Sequence, residues 1–114
     1  MVWAWNACLA LVCGDSCLWK PSEKTPLTAL ACQAILDEVC CDFPEAPAGL
    51  SQVILGGFEQ GNQMVEDARV PLISATGSTR MGRIVGPKVA ARFGRSLLEL
   101  GGNNAVIVTE TADL

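Results

Sequence analysis

Histidine and tyrosine are absent from this sequence, and aromatic side chains make up only 5% of it. Without histidine, a Ser-His-Asp triad and a Cys-His dyad within the chain are excluded, along with most zinc sites, and no metal site is expected. With so few aromatics, the core has to be assembled mainly from Ala, Val, Leu and Ile. Charge is scarce as well: 18% of residues, a net charge of −4 and a pI near 4.6. That balance argues against a nucleic-acid partner, because affinity for a phosphate backbone comes from Lys and Arg. Long apolar runs are also missing. Val2 to Val12, broken by Asn6, stops at Gly14-Asp15-Ser16, far short of the ~20 residues a membrane span needs, and it lacks the basic stretch that opens a signal peptide. The expectation is a buried helix, with no membrane segment and no export signal.

What the chain does have is apolar mass. Half of its 114 residues are hydrophobic, which excludes intrinsic disorder and suits one small domain. Cys8, Cys13, Cys17, Cys32, Cys40 and Cys41 all fall in the first 41 residues, with no CxxC among them. An adjacent pair such as Cys40-Cys41 is an awkward place for two independent bridges. The six are expected to be reduced, buried small hydrophobes, and the protein to be intracellular and cytoplasmic.

The apolar pattern alternates between two kinds of segment. Trp5 to Val12 reads as a helix ending at Gly14. Cys17-Leu18-Trp19 reads as a buried strand. Thr25-Pro26 is a helix start, Thr as N-cap and Pro at the first position, with Leu27, Leu30, Ala31, Ala34 and Ile35 following at helical spacing. Val53 to Leu55 is a second strand, closed by Gly56-Gly57, and Gly61 to Glu66 a short helix. Val70 to Ala75 is a third strand, closed by Thr76-Gly77. Met81, Ile84, Val85 and Val89 space as a helix from Ser78, which Gly86-Pro87 should kink or restart. Leu97-Leu98 is a fourth strand and Ala105 to Val108 a fifth. Strands alternating with helices predict an α/β fold: a parallel sheet flanked by helices, joined by right-handed crossovers.

In such a sheet, ligands bind beyond the carboxyl ends of the strands, and the glycine pairs stand there. Gly77-Ser78-Thr79-Arg80-Met81-Gly82 lies between a strand and a helix, where backbone N–H groups and the helix dipole favour a phosphate. It is not the Walker sequence, and a plain helix-capping turn explains it equally well. Lys20-Pro21-Ser22-Glu23 follows the first strand. Its ammonium and carboxylate can together bind ribose hydroxyls, or be two solvated loop charges. Glu99 sits in an apolar strand just before Gly101-Gly102. Burial there would raise its pKa, as a general base needs, or it is a structural acceptor of backbone N–H bonds.

Three segments stand in one order and spacing: Lys20-Pro21-Ser22-Glu23-Lys24-Thr25-Pro26-Leu27, Thr76-Gly77-Ser78-Thr79-Arg80-Met81-Gly82, and Leu98-Glu99-Leu100-Gly101-Gly102-Asn103-Asn104. Together they resemble the NAD-dependent aldehyde dehydrogenase superfamily. Phe93-Gly94-Arg95-Ser96 with the segment that follows, including Asn103, is most similar to its antiquitin branch, which oxidises α-aminoadipic semialdehyde in lysine catabolism. The resemblance covers nearly all of residues 1–114 and implies a partial Rossmann-like, NAD-binding domain. By it, Lys20 and Glu23 bind the adenosine ribose, Gly57 and Phe58 pack beside the adenine, and Gly77 and Ser78 form the pyrophosphate turn. Leu100 approaches the nicotinamide through its backbone, and Glu99 is the general base. The resemblance also implies a small aldehyde as substrate, and a homo-oligomer in contact through the helix that begins at Ser78. The family's oxyanion-stabilising Asn belongs to an Asn-Phe-Pro segment upstream of the first helix, so Asn6 is not it. Its nucleophilic Cys lies further on than the fifteen residues that follow Glu99. The chain thus reads as a fragment, inactive alone. The alternative class is a non-catalytic nucleotide-binding or interaction fragment.

Overall fold

The computed structural model describes residues 2–113. Four helices and four strands alternate in it: α1 (Val2–Val12), β1 (Cys17–Trp19), α2 (Pro26–Cys40), β2 (Ser51–Val53), α3 (Phe58–Glu66), β3 (Leu72–Thr76), α4 (Thr79–Ala91) and β4 (Arg95–Glu99). All strand pairing is parallel, as the alternation predicts. It is divided into two two-stranded units, β1·β2 and β3·β4, rather than one continuous sheet.

In the first unit, Cys17 to Trp19 pair in register with Ser51 to Val53. Helix α2 is fastened to it by Gln33: its Nε2 donates to the carbonyl of Ser51 (3.1 Å), while Ser51 Oγ donates to Gln33 Oε1 (3.0 Å). Both residues are buried, so each polar atom needs the other. Helix α1 reaches the unit through Trp3, whose ring stacks on Trp19 at 4.8 Å and 18°.

The second unit carries the apolar core. Val65 of α3, Ile73 of β3, and Val85 and Val89 of α4 are buried together, with Val70, Ala75, Met81 and Leu98 packed around them. Polar ties hold α3 to α4 at its edge: Lys88 Nζ donates to Glu66 Oε1 (2.6 Å) and to Asn62, and Arg92 Nε donates to the Val65 carbonyl (2.7 Å).

Several sequence expectations need correction. Helix α3 begins at Phe58, three residues before Gly61, because the Gly57 N–H is taken up by Gln60 Oε1 (3.0 Å) and opens the helix there. Helix α4 runs unbroken through Gly86-Pro87. Pro87 is on the exposed side, and the buried Val85 and Val89 on either side anchor both halves to the core. Ala105 to Val108 forms no strand. A strand needs a partner, none of the described residues pairs with this run, and Val106 and Ile107 are 87% and 88% exposed. The cysteines are not core residues: Cys8, Cys13 and Cys41 are exposed, while Cys17, Cys32 and Cys40 are half-buried. A helix as apolar as α1, with Asn6 its one polar residue, does not announce which face it buries, and Ala7 alone is buried there. All six thiols are free.

The chain is open for its mass. Its radius of gyration is 17.3 Å, against about 13 Å for a compact domain of roughly this length. Its accessible surface of 8768 Å² exceeds the about 6,000 Å² expected from mass scaling. Much of the excess is apolar, including Trp5, Leu9, Leu27, Ile35 and Phe93.

The turn from α3 into β3 is closed by charge. Arg69 Nη2 lies 2.6 Å from Asp67 Oδ2, and Arg69 Nε donates to both carboxylate oxygens. This guanidinium holds the Asp67 carboxyl at about 2, below its ordinary value. Since the folded value is depressed, the pair's contribution is complete at pH above the ordinary aspartate range and disappears as pH falls through about 2. Carboxyl NMR should give that low midpoint for Asp67, and Arg69→Ala should move it up toward the ordinary value.

Candidate functional site

The carboxyl ends of β3 and β4 lie side by side because the pair is parallel and in register, with Thr76 opposite Glu99. The ladder extends one bond past Thr76: the Gly77 N–H donates to the Glu99 carbonyl at 3.0 Å. Gly77 therefore does not present its own amide to a ligand. Ser78 is the N-cap of α4, its Oγ accepting from the Met81 N–H (3.2 Å), and its carbonyl accepts from Gly82 (3.1 Å). The remaining first-turn amides, those of Thr79 and Arg80, have no intrahelical acceptor, and α4 brings its positive dipole end to the same point. A Cβ on Gly77 would meet Met81 Cε at 2.9 Å. A glycine thus keeps the approach to this turn low.

Beside the turn opens a groove of about 660 Å³. Thr76, Gly77, Leu97, Glu99, Leu100 and Gly101 form one wall, and Val2, Trp5 and Asn6 of α1 the other. Asn6 fixes the facing helix, since its Oδ1 accepts from Ser74 Oγ of β3 (2.9 Å) and its Nδ2 donates to the Val2 carbonyl (3.0 Å). The Glu99 carboxylate is exposed at the rim. This corrects the expectation of a buried carboxyl: β4 is exposed along most of its length, with Leu98 alone half-buried, so its apolar neighbours do not enclose Glu99.

A second group gathers at the ends of β1 and β2. Lys20 Nζ donates to the carbonyls of Pro21 (2.8 Å) and Gly56 (3.0 Å), clamping the two strand ends together. Its stem passes over Gly61 of α3, where a Cβ would stand 3.4 Å from Lys20 Cδ. Lys20 is thereby joined to the Gly56-Gly57-Phe58 loop, with one N–H of the ammonium still to give. Phe58 opens α3 with its ring 71% exposed. Glu23 is exposed on the loop between β1 and α2 and makes no ion pair among the described residues.

The predicted residues therefore fall into two clusters, Lys20 with Gly57 and Phe58, and Gly77 and Ser78 with Glu99 and Leu100; Glu23 touches neither. Sequence reasoning gave Asn6 no place in the site, yet it lines the groove. A lone amide in an apolar helix was the available signal.

A family model for the aldehyde dehydrogenase family matches residues 1–114. The chain belongs to the aldehyde dehydrogenase family. A protein of Caenorhabditis elegans described as a homolog of aldehyde dehydrogenase family 7 member A1 is 51% identical over 99% of this chain. Alpha-aminoadipic semialdehyde dehydrogenase of Bos taurus is 46% identical over the same share. This aldehyde dehydrogenase segment spans about a fifth of the length of these relatives, 21% of each. Among solved structures, it is similar to a Mycobacterium tuberculosis aldehyde dehydrogenase complexed with NAD+, with a TM-score of 0.77, 36% identity and coverage of 89% of this chain and 20% of that one. The aldehyde dehydrogenase from Bartonella henselae gives the same TM-score at 34% identity, over 89% of this chain and 20% of that one.

The Ser78 cap is directly testable. Ser78→Ala should cost about 1 kcal/mol in urea unfolding, and Ser78→Asp, which keeps an acceptor at the N-cap, should recover most of it.

Proposed function

We propose that this chain supplies the cofactor-binding part and the general base of an NAD-dependent aldehyde dehydrogenase of the antiquitin type. That enzyme oxidises a small aldehyde, α-aminoadipic semialdehyde being the leading candidate, to its carboxylate. One observation carries the reading: the Gly77-to-Glu99 bond holds the turn that leads into α4 beside Glu99, and Gly77 and Glu99 line one groove.

The residues fit NAD. The Thr79 and Arg80 amides and the dipole of α4 suit a pyrophosphate, over a Gly77 that leaves room for it. The Lys20 ammonium and the Glu23 carboxylate suit a ribose diol, the first donating and the second accepting. The loop at Gly57 and the exposed ring of Phe58 offer the adenine an apolar neighbour. When bound, NAD supplies the hydride acceptor of the oxidation. Leu100 lines the groove, and its backbone is the part that would approach the nicotinamide.

Glu99 takes the proton of the water that releases the product acid. An exposed carboxylate at a groove rim has the access to water that this step requires. The attacking thiolate belongs to another part of the enzyme. No cysteine lines the groove among the described residues, and burial pushes the Cys17 thiol up, which makes it a poor nucleophile. The outward face of α4, with Ile84 exposed, is the surface we assign to subunit contact in a homo-oligomer.

NADH formation from α-aminoadipic semialdehyde and from an aliphatic aldehyde tests the reading in the complete enzyme that carries this segment. Glu99→Gln should lower kcat by about a hundredfold or more, the usual worth of a general base. Glu23→Gln should narrow the preference for NAD over NADP, because the native carboxylate repels a 2′-phosphate. Equal use of both cofactors by the unmutated enzyme would remove Glu23 from the ribose site.

A further inference from the structure

Glycine inside a helix is unfavourable relative to alanine, so a buried helical glycine needs a reason. Gly82 is buried in the first turns of α4, and no positive φ demands it. Its N–H makes the ordinary bond to the Ser78 carbonyl at 3.1 Å. The reason lies outside the helix. A Cβ at this position would stand 2.5 Å from Leu100 Cδ1, 2.8 Å from Cδ2 and 3.2 Å from Cγ. All three are shorter than the roughly 3.5–4.0 Å at which carbon atoms rest together. The Leu100 side chain occupies the space where Gly82 has none.

Leu100 directly follows Glu99, and the Glu99 carbonyl is the acceptor of the Gly77 N–H. The segment after β4 is thus held at two points of one turn-and-helix unit, by a hydrogen bond from Gly77 before the helix and by a side chain seated on Gly82 within it. We propose that Gly82 is a positioning residue for Glu99. By leaving a seat for Leu100 against α4, it fixes the direction in which the adjoining carboxylate leaves the strand end and ties that direction to the helix whose N-terminus would hold the pyrophosphate. This inference rests on the reading of Glu99 as the general base.

The added methyl of Gly82→Ala has to push Leu100 outward, and Glu99 goes with it. A displacement of about 1 Å at a reacting group is worth up to a hundredfold in rate. In the complete enzyme, Gly82→Ala should lower kcat by about tenfold or more while the Kd for NAD moves by less than about threefold. Leu100→Ala removes the anchor and should lower kcat less. In the double variant the clash has gone, so kcat should return to the level of Leu100→Ala rather than fall by the product of the two losses. Parental kcat in Gly82→Ala, additive losses in the double variant, or a loss of NAD affinity as large as the loss of kcat would each overturn the proposal. If Gly82→Ala does not fold, Leu100→Ala carries the test: a lowered kcat with NAD affinity kept supports the seat, and parental kcat overturns it. Glu99→Gln, measured alongside, separates the two claims. Parental activity there removes the base assignment itself, whereas lost activity there with parental Gly82→Ala removes only the positioning role.

Discussion

The parallel pairing of β3 with β4, carried one residue beyond Thr76 by the Gly77-to-Glu99 hydrogen bond, is the contact on which the site depends. A parallel ladder brings like ends of its strands together, so the turn into α4 and the residues after β4 have to meet. A slip of one residue in this register would turn the strand over and point Glu99 away from the groove. The buried set of Val65, Ile73, Val85 and Val89 holds the register from below by pressing α3 and α4 onto the same pair. Core and site are therefore consecutive layers of one unit: valine packing fixes the strands, and the strands fix the rim.

Much of this was legible in the sequence, and for identifiable reasons. Thr25-Pro26 marked α2 because proline at the first helical position has lost only an N–H that would be unbonded anyway. The motifs around Lys20, Gly77 and Glu99 pointed to the family to which the chain belongs. What periodicity could not reveal was which apolar face is covered. The cysteines of α1 and α2 read as core residues, yet those helices bury little beyond Ala7, Ala29 and Gln33. The run from Ala105 to Val108 has the composition of a strand, but pairing belongs to two chains at once and cannot be inferred from one of them. Glu99 looked buried because its neighbours are apolar, yet Leu97 and Leu100 are themselves exposed and β4 is covered only at Leu98.

The exposed apolar surface is informative in the same physical terms. Among the described residues only six apolar side chains are buried, while Trp5, Leu9, Leu27, Ile35, Val106 and others face solvent. Burial of this kind yields roughly 25 cal/mol per Å², so a surface so apolar is far from the arrangement that would stabilise it most. The Lys20 clamp, the Gln33–Ser51 pair and the Asn6–Ser74 contact consequently carry more of the local order than polar contacts do in a tightly packed domain. Each joins elements distant in sequence, and two of them lie beside the proposed cofactor path.

On the reading proposed above, NAD is held at the N-terminus of α4, on amides the fold leaves without partners. Amide hydrogen exchange of the complete enzyme, with and without NAD, tests it most directly. Exchange should slow at Thr79 and Arg80, with Gly77 nearly unchanged because its N–H is already bonded to Glu99. Unchanged exchange at Thr79 and Arg80 under saturating NAD, with protection confined to other segments, would contradict it.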